Sequence, residues 1–176
     1  MTREVALLIM VALALVLIVL GAFAWAKRRR RDSGLRAPLG DIPADAVTTA
    51  VASGFYVATT RRDEPLERLA IRGFGFRSRA GVTVTNAGVG LDLTGAASLF
   101  IPIAAIDGVD LASVAIDRAV EPGGLVRLAW RADGSEPVPV DSYLRPQDTS
   151  ARALADAIAA TLAPTHTSTT PTGTDA

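Results

Sequence analysis

An uncharged apolar segment near the N-terminus, Val5–Ala26, is followed directly by five basic residues, Lys27–Arg31. As a helix, a segment of this length extends about 33 Å, and the hydrocarbon core of a bilayer is about 30 Å thick. Lysine and arginine beside a span remain on the cytoplasmic side of the membrane. The pattern therefore predicts a single-pass protein of the cell membrane, with its N-terminus outside and the rest of the chain in the cytoplasm.

The alternative for this segment is a cleaved secretory signal, because Ala22-Phe23-Ala24 and Ala24-Trp25-Ala26 are small-x-small patterns. A signal has a basic start and an apolar core of about 7–15 residues. Here the apolar run is longer, Glu4 offsets Arg3, and the basic block after the run opposes export. We therefore favour a retained anchor that contacts the lipid bilayer through Val5–Ala26.

The basic block has two possible roles, and its members are Lys27, Arg28, Arg29, Arg30 and Arg31. It stops translocation and fixes the topology, which we take as the main role. It can also hold anionic lipid headgroups, at about 1 kcal/mol for each basic residue near the surface.

Composition excludes several functions for the rest of the chain. There are 18 basic and 18 acidic residues, and five of the basic ones lie in the block, so the remainder is mildly acidic and gives no support for nucleic-acid binding. The chain has no cysteine, which excludes disulfides and thiolate metal sites. Its one histidine, His166, lies in a tail rich in Thr, Ser and Pro, where a solvated side chain is expected.

The chain divides into four parts by composition. Residues 1–26 are the anchor, residues 27–46 are the basic flank and a linker rich in Gly and Pro, and residues 47–163 form one small domain. Residues 164–176 are predicted to be a disordered tail.

Short alternating runs in residues 47–146 predict β-strands. Val82–Thr85 and Val89–Leu93 alternate apolar and polar residues on either side of an Asn86-Ala87-Gly88 turn, which indicates a hairpin. Pro102 favours an edge strand, and the apolar parity changes between Leu111 and Val114, which indicates a bulge or a sharp coil.

The apolar spacing changes to a helical one after Pro146. Residues 151–162 have one apolar stripe, preceded by the capping residues Asp148, Thr149 and Ser150 and ended by Pro164. The predicted fold is mainly β (α+β): an N-terminal transmembrane helix and a bent antiparallel β-barrel of about seven strands, capped by a C-terminal helix.

Two runs carry a family resemblance: Gly88–Leu93, and Leu99–Val109 with its apolar-Pro-apolar step and its Ile-x-x-Val step. With the anchor and the basic block, the chain resembles the small single-span proteins of actinobacteria that have a pleckstrin-homology-like (PH-like) domain. Members are often described only as membrane, export or transporter-like proteins. The resemblance implies a PH-like fold over about residues 51–163, and it brings no catalytic set.

Basic residues on turns beside the first strands are weak candidates for anion contacts: Arg61, Arg62, Arg77 and Arg79. Basic residues near the first hairpin bind phosphates in eukaryotic PH domains. Asp63 and Glu64 cancel much of the local field, so solvated turn charges are the favoured interpretation.

Other candidate chemistry has a structural explanation. The spacing of Asp107, Asp110 and Asp117 fits no calcium loop, and Gly73–Phe76 and Gly88–Gly90 lack the context of a nucleotide loop. Three serines have no partner base for nucleophilic catalysis, namely Ser98, Ser113 and Ser142. Trp130 alternates with Val126 and Leu128, which indicates a core position. No catalytic residue, metal or cofactor is expected.

Three functions remain open. The first is a non-enzymatic, membrane-anchored interaction module that binds a protein partner at the inner leaflet, by strand addition or along a groove near the helix. The second is an accessory subunit of a transporter or export complex. The third, disfavoured by the missing acid–base and nucleophilic groups, is an enzyme of unknown reaction.

Overall fold

A computed structural model describes residues 3–163, except for residues 33, 37, 39, 63, 70, 72, 73, 75, 76, 117, 120 and 135. Several predictions concern residues outside this part: the tail with His166, Asp117, and the glycines at 73 and 75. The remaining predicted elements and candidate residues lie in the described part or have a described backbone.

The N-terminal helix α1 extends over Arg3–Asp32 and includes the basic block in its last turns. Its stretch Arg3–Lys27 has 25 residues, its most apolar 18-residue window has a mean hydropathy of 3.2, and none of that window is buried against the rest of the chain. By length and composition this helix can cross a membrane. A leader sequence meets the same criterion, so the retained anchor and its orientation stay predictions.

The described residues form one large antiparallel sheet and a small separate hairpin. The strands are β1 (Thr48–Arg61), β2 (Glu64–Arg68), β3 (Ser78–Thr85), β4 (Gly88–Leu93), β5 (Leu99–Pro102), β6 (Ile106–Ala112), β7 (Val114–Ala115), β8 (Arg118–Ala119), β9 (Leu125–Ala132) and β10 (Val138–Pro146). The order in the large sheet is β5-β4-β3-β1-β10-β9-β6, with β2 paired to β1, and β7-β8 is the hairpin.

The eight-stranded sheet is open: seven strands form its path, β2 is attached to β1, and the end strands β5 and β6 are not paired with each other in the described part of the chain. A short 3-10 helix, Ile103–Ala105, connects these two ends. Strand β1 pairs with both β3 and β10 and has a register shift between Tyr56 and Ala58. A long strand with such a shift bends the sheet. The predicted mainly β fold is confirmed.

The C-terminal helix α2 (Ala151–Leu162) packs its apolar stripe against this sheet. Leu154, Ala155 and Ile158 are buried among the inward side chains of the strands, which include Leu128 and Trp130. The hydroxyl of Ser150 accepts a hydrogen bond from the backbone N–H of Ala153, so Ser150 caps the helix. The predicted amphipathic helix and the core position of Trp130 are confirmed.

The segment between α1 and β1, which composition marked as a linker, lies against the domain. Leu35 is 7% exposed and belongs to the main hydrophobic core. The backbone N–H of Arg36 donates to the carbonyl of Asp133, in the turn between β9 and β10, at 2.9 Å. The carbonyl of Pro38 accepts from the N–H of Phe100 in β5, also at close range (2.8 Å). Residues before the predicted domain start at 47 therefore pack with the sheet.

The predicted change of apolar parity falls where β6 ends. Ser113 separates β6 from the small hairpin β7-β8, and its hydroxyl accepts a hydrogen bond from the N–H of Gly123 at 2.9 Å. The hairpin covers a second, smaller apolar cluster on the outer face of the sheet, formed by Val57, Ala58, Ala115, Leu125 and Tyr143. The sheet is therefore buried on both faces at this point.

Candidate binding surfaces

Six charged side chains form a continuous network on the outer face of β1, β10, β9 and β6, and we call it the charged ladder. Its salt bridges are Asp110–Arg127 at 2.7 Å, Arg127–Asp141 at 3.7 Å, Arg62–Asp141 at 3.4 Å, Arg62–Asp107 at 2.9 Å and Arg131–Asp107 at 3.1 Å. Three arginines and three aspartates alternate, so the ladder has no net charge.

Asp141 is the buried member of the ladder, with 1% of its surface exposed. Burial by itself lowers the pKa of Arg62, but its hydrogen bond to Asp107 and the charge of Asp141 raise that pKa above its usual value. The hydrogen bond to Asp110 likewise raises the pKa of Arg127, although burial opposes it. These two arginines therefore remain charged and compensate the buried carboxylate.

Three residues that the sequence offered as anion or metal contacts are paired with other side chains of the ladder. Arg62, a candidate anion contact, already binds two carboxylates of its own chain. Asp107 and Asp110, two of the three metal candidates, each bind an arginine. No group of three or more acidic or histidine side chains suited to a metal ion occurs in the part of the chain that the structure describes. Arg61 is partly buried and lies opposite Val140 in the sheet register.

Arg77 and Arg79 have a different environment, because they lie over an aromatic ring. The guanidinium carbon of Arg77 is 4.8 Å from the ring centre of Phe55, and that of Arg79 is 5.9 Å from it. Phe55 is opposite Arg79 on one side and opposite Arg145 on the other. Because directly opposite residues share a face of a sheet, the three arginines surround one ring. We call these four residues the Phe55 site.

A cluster of hydroxyl groups crosses the interior of the sheet. The hydroxyl of Tyr56 donates to Thr59 at 2.9 Å, Thr59 and Ser142 share a hydrogen bond of 2.7 Å, and the indole N–H of Trp130 donates to Ser142 at 2.9 Å. Burial raises the pKa of Tyr56 to about 12. Ser142 is fully buried and hydrogen-bonded to two core side chains, which is a structural role.

The sequence glycines also have packing roles where they are described. A Cβ atom on Gly88 would collide with the carbonyl oxygen of Ile101, and one on Gly90 would lie 2.7 Å from the side chain of Ile42. Both glycines allow close approach of neighbouring chain segments rather than forming a phosphate loop.

A groove separates the end strand β6 from helix α2. It has a volume of about 290 Å³. Val109, Leu111, Ala155 and Ala159 supply its apolar surface, and Asp110, Arg152 and Asp156 supply its charges. On its other side β6 pairs with β9, so the edge of β6 that borders the groove ends the sheet.

Comparison with known proteins agrees with this architecture. A family model described as Bacterial PH domain-like matches residues 35–160, more than half of the chain, and the chain belongs to that family. The match begins at Leu35, the first described residue after α1 that is buried in the core. No curated protein matches the chain. PH-like domains bind lipids or proteins and are generally binding modules without enzymatic activity.

Sequence reasoning identified Arg77 and Arg79 but missed Phe55 and Arg145, their neighbours on β1 and β10. In the sequence, Phe55 lies within the predicted strand region, residues 47–146, with no sign of a site, and Arg145 precedes the proline at the end of that region. The register that brings them together depends on the pairing of β1 with both β3 and β10, which no local pattern shows. The groove was expected only in general terms, near the helix.

Proposed function

We propose that the chain is a non-enzymatic interaction module, anchored in the cell membrane by α1 with its N-terminus outside and its PH-like domain at the inner leaflet. The family and the apolar helix support a membrane-associated binding role. The buried Ser142 and the arginine-paired aspartates support a role without catalysis, since these groups stabilise the fold. The basic block supports the orientation.

The observation that carries the proposal is the groove between β6 and α2. An end strand presents unpaired backbone groups, and an extended peptide can add to such an edge. Ala155 and Ala159 have small side chains, so the adjoining space can accept an apolar side chain of the added peptide. The occupant we propose is an extended segment of a membrane-associated protein, held at high effective concentration because both partners are confined to one membrane.

The topology is tested in intact cells with a tag after Ala163. Protease added outside should leave the tag intact, and the mature protein should retain residues 1–26. A tag that external protease removes, or a mature protein that begins near Lys27, would contradict the anchor.

The groove is tested with a photoreactive residue introduced at position 156 of the full chain in cells. The matched control is position 153, which is exposed on the same helix but does not line the groove. We expect a protein crosslink from position 156 and none from position 153. Ala159→Leu should abolish that crosslink by filling the groove, whereas Ala153→Leu should not.

The identity of the crosslinked protein decides the more specific alternative. A polytopic transport protein would make the chain an accessory subunit of a transporter. Equal crosslinking from positions 156 and 153 would show that the groove does not select a partner, and the proposal would fail.

A further inference from the structure

The Phe55 site concentrates positive charge on a part of the sheet that the groove does not include. Arg79, Phe55 and Arg145 lie side by side on β3, β1 and β10, and Arg77 lies over the same ring. Opposite residues of an antiparallel sheet have Cβ atoms about 5 Å apart. Three guanidinium groups therefore fall within one compact area.

Arg77 and Arg79 are more available than the arginines of the charged ladder. Arg77 and Arg79 are exposed, and their described contacts are with the face of an aromatic ring. A stacked guanidinium keeps its N–H groups directed outward, where they can donate to an oxyanion. Arg145 has one acidic neighbour, Glu121, at 3.4 Å, and the Glu121 side chain is 63% exposed.

The chain geometry argues against the bilayer as the ligand of this site. Leu35 follows the end of α1 by three residues, so the turn that contacts Arg36 between β9 and β10 lies near the membrane. Strand β10 leaves this end of the domain at Val138 and reaches Arg145 seven residues later. At about 3.3 Å per residue, about 23 Å of strand separates Arg145 from the end of β10 that adjoins this turn, so the Phe55 site is not part of the turn next to α1.

We propose that the Phe55 site binds an acidic segment of a partner protein. Three arginines around one ring match the charge of neighbouring carboxylates. The remainder of the domain is mildly acidic, so this site is the attractive position for such a segment. The proposal is independent of the groove beside α2.

The test uses the full chain in nanodiscs of phosphatidylcholine and a fluorescent oligoglutamate peptide as the probe. The test variant is Arg77→Ala with Arg79→Ala. The matched control is Arg36→Ala with Arg131→Ala, which removes two exposed arginines that belong to neither the Phe55 site nor the groove. We expect the wild-type chain to bind the probe less tightly as salt rises, and the test variant to bind about tenfold more weakly.

The control variant should change binding by no more than about twofold. Equal weakening by both variants would show general charge attraction, for example to the basic block, and would overturn the proposal. Phe55→Leu keeps every charge but removes the ring, and it should weaken binding about threefold because the guanidinium groups lose their support.

A second probe separates a lipid from a protein ligand. Vesicles of phosphatidylglycerol are added to the same nanodisc samples, and co-sedimentation is measured. We expect the test and control variants to bind these vesicles equally. Vesicle binding that the Arg77 and Arg79 substitutions abolish, and the control substitutions leave intact, would assign the site to lipid headgroups and overturn the proposal.

Discussion

Arg62 and the pair Arg77/Arg79 lie on either side of strand β2, yet the sheet gives them opposite roles. Arg62 lies between two carboxylates, one of them the buried Asp141, and Arg77 and Arg79 lie over Phe55. The first charge stabilises the fold and is compensated within the chain. The other two remain available to a ligand. Proximity to the first hairpin is therefore a poor guide to anion binding. Whether an arginine is free to bind an anion depends on the side chain with which it is paired.

The largest expected effect is a loss of stability in the charged ladder. Asp141→Ala removes the buried carboxylate that holds Arg62 and Arg127, and should lower the free energy of unfolding by about 3 kcal/mol, because each arginine loses one of its two carboxylate partners and the buried side chain leaves a cavity. Chemical denaturation measures the loss. Asp110→Ala is the matched control, since the Asp110 side chain is 60% exposed, and it should cost less than about 1 kcal/mol. Equal costs would show that the ladder does not depend on its buried member.

The next effect compares the arginines directly. Arg62→Ala should lower the free energy of unfolding by about 1.5 kcal/mol, because the buried carboxylate of Asp141 loses one of its two partners. The same variant should leave binding of the oligoglutamate probe unchanged. A loss of probe binding without a loss of stability would contradict this comparison, because Arg62 would then serve ligand binding rather than the fold.

High pH separates the ladder from the hydroxyl cluster, since arginines remain charged there. The pKa of Tyr56 is about 12 in the folded chain and about 10 when unfolded. Above about pH 10 the unfolded chain therefore releases a proton that the folded chain keeps. The free energy of unfolding falls as the pH rises, and the loss is about 1 kcal/mol by about pH 11. Unfolding followed at several pH values measures this loss.

Tyr56→Phe should remove that alkaline loss, although it also removes the hydrogen bond to Thr59, which costs about 1 kcal/mol at neutral pH. Burial raises the pKa of Tyr143 as well, so Tyr143→Phe is the control that isolates its share. Alkaline sensitivity that Tyr56→Phe leaves intact would contradict the buried hydroxyl.

The smallest stability effect is expected at the available arginines. Arg79→Ala should change the free energy of unfolding by less than about 0.5 kcal/mol, because an exposed cation over a ring contributes little. Thermal unfolding of Arg79→Ala and Arg62→Ala, measured side by side, shows the difference in stability. A cost at Arg79 as large as that at Arg62 would mean that the Phe55 site serves the fold.

The sequence supported the fold better than the surfaces. Alternation in β3, β4 and β9 and the helical stripe of α2 are local patterns, so the elements and the mainly β class followed from them. The pairing of β1 with two strands joins residues that are far apart in the chain, such as Phe55 and Arg145, and no local pattern encodes it. The burial of Leu35 was missed for a related reason. One apolar residue among glycines and prolines has no periodicity, and its pocket is supplied by distant strands.

The docked segment at Leu35 and Arg36 has a consequence for how the protein meets its partners. A free tether would let the domain sweep through a hemisphere around the end of α1. A segment fixed to the domain by a core side chain and by backbone hydrogen bonds leaves only two residues between the end of α1 at Asp32 and the docked Leu35. A tether this short limits the distance between the domain and the end of the helix, so partners are selected by their reach as well as by their affinity.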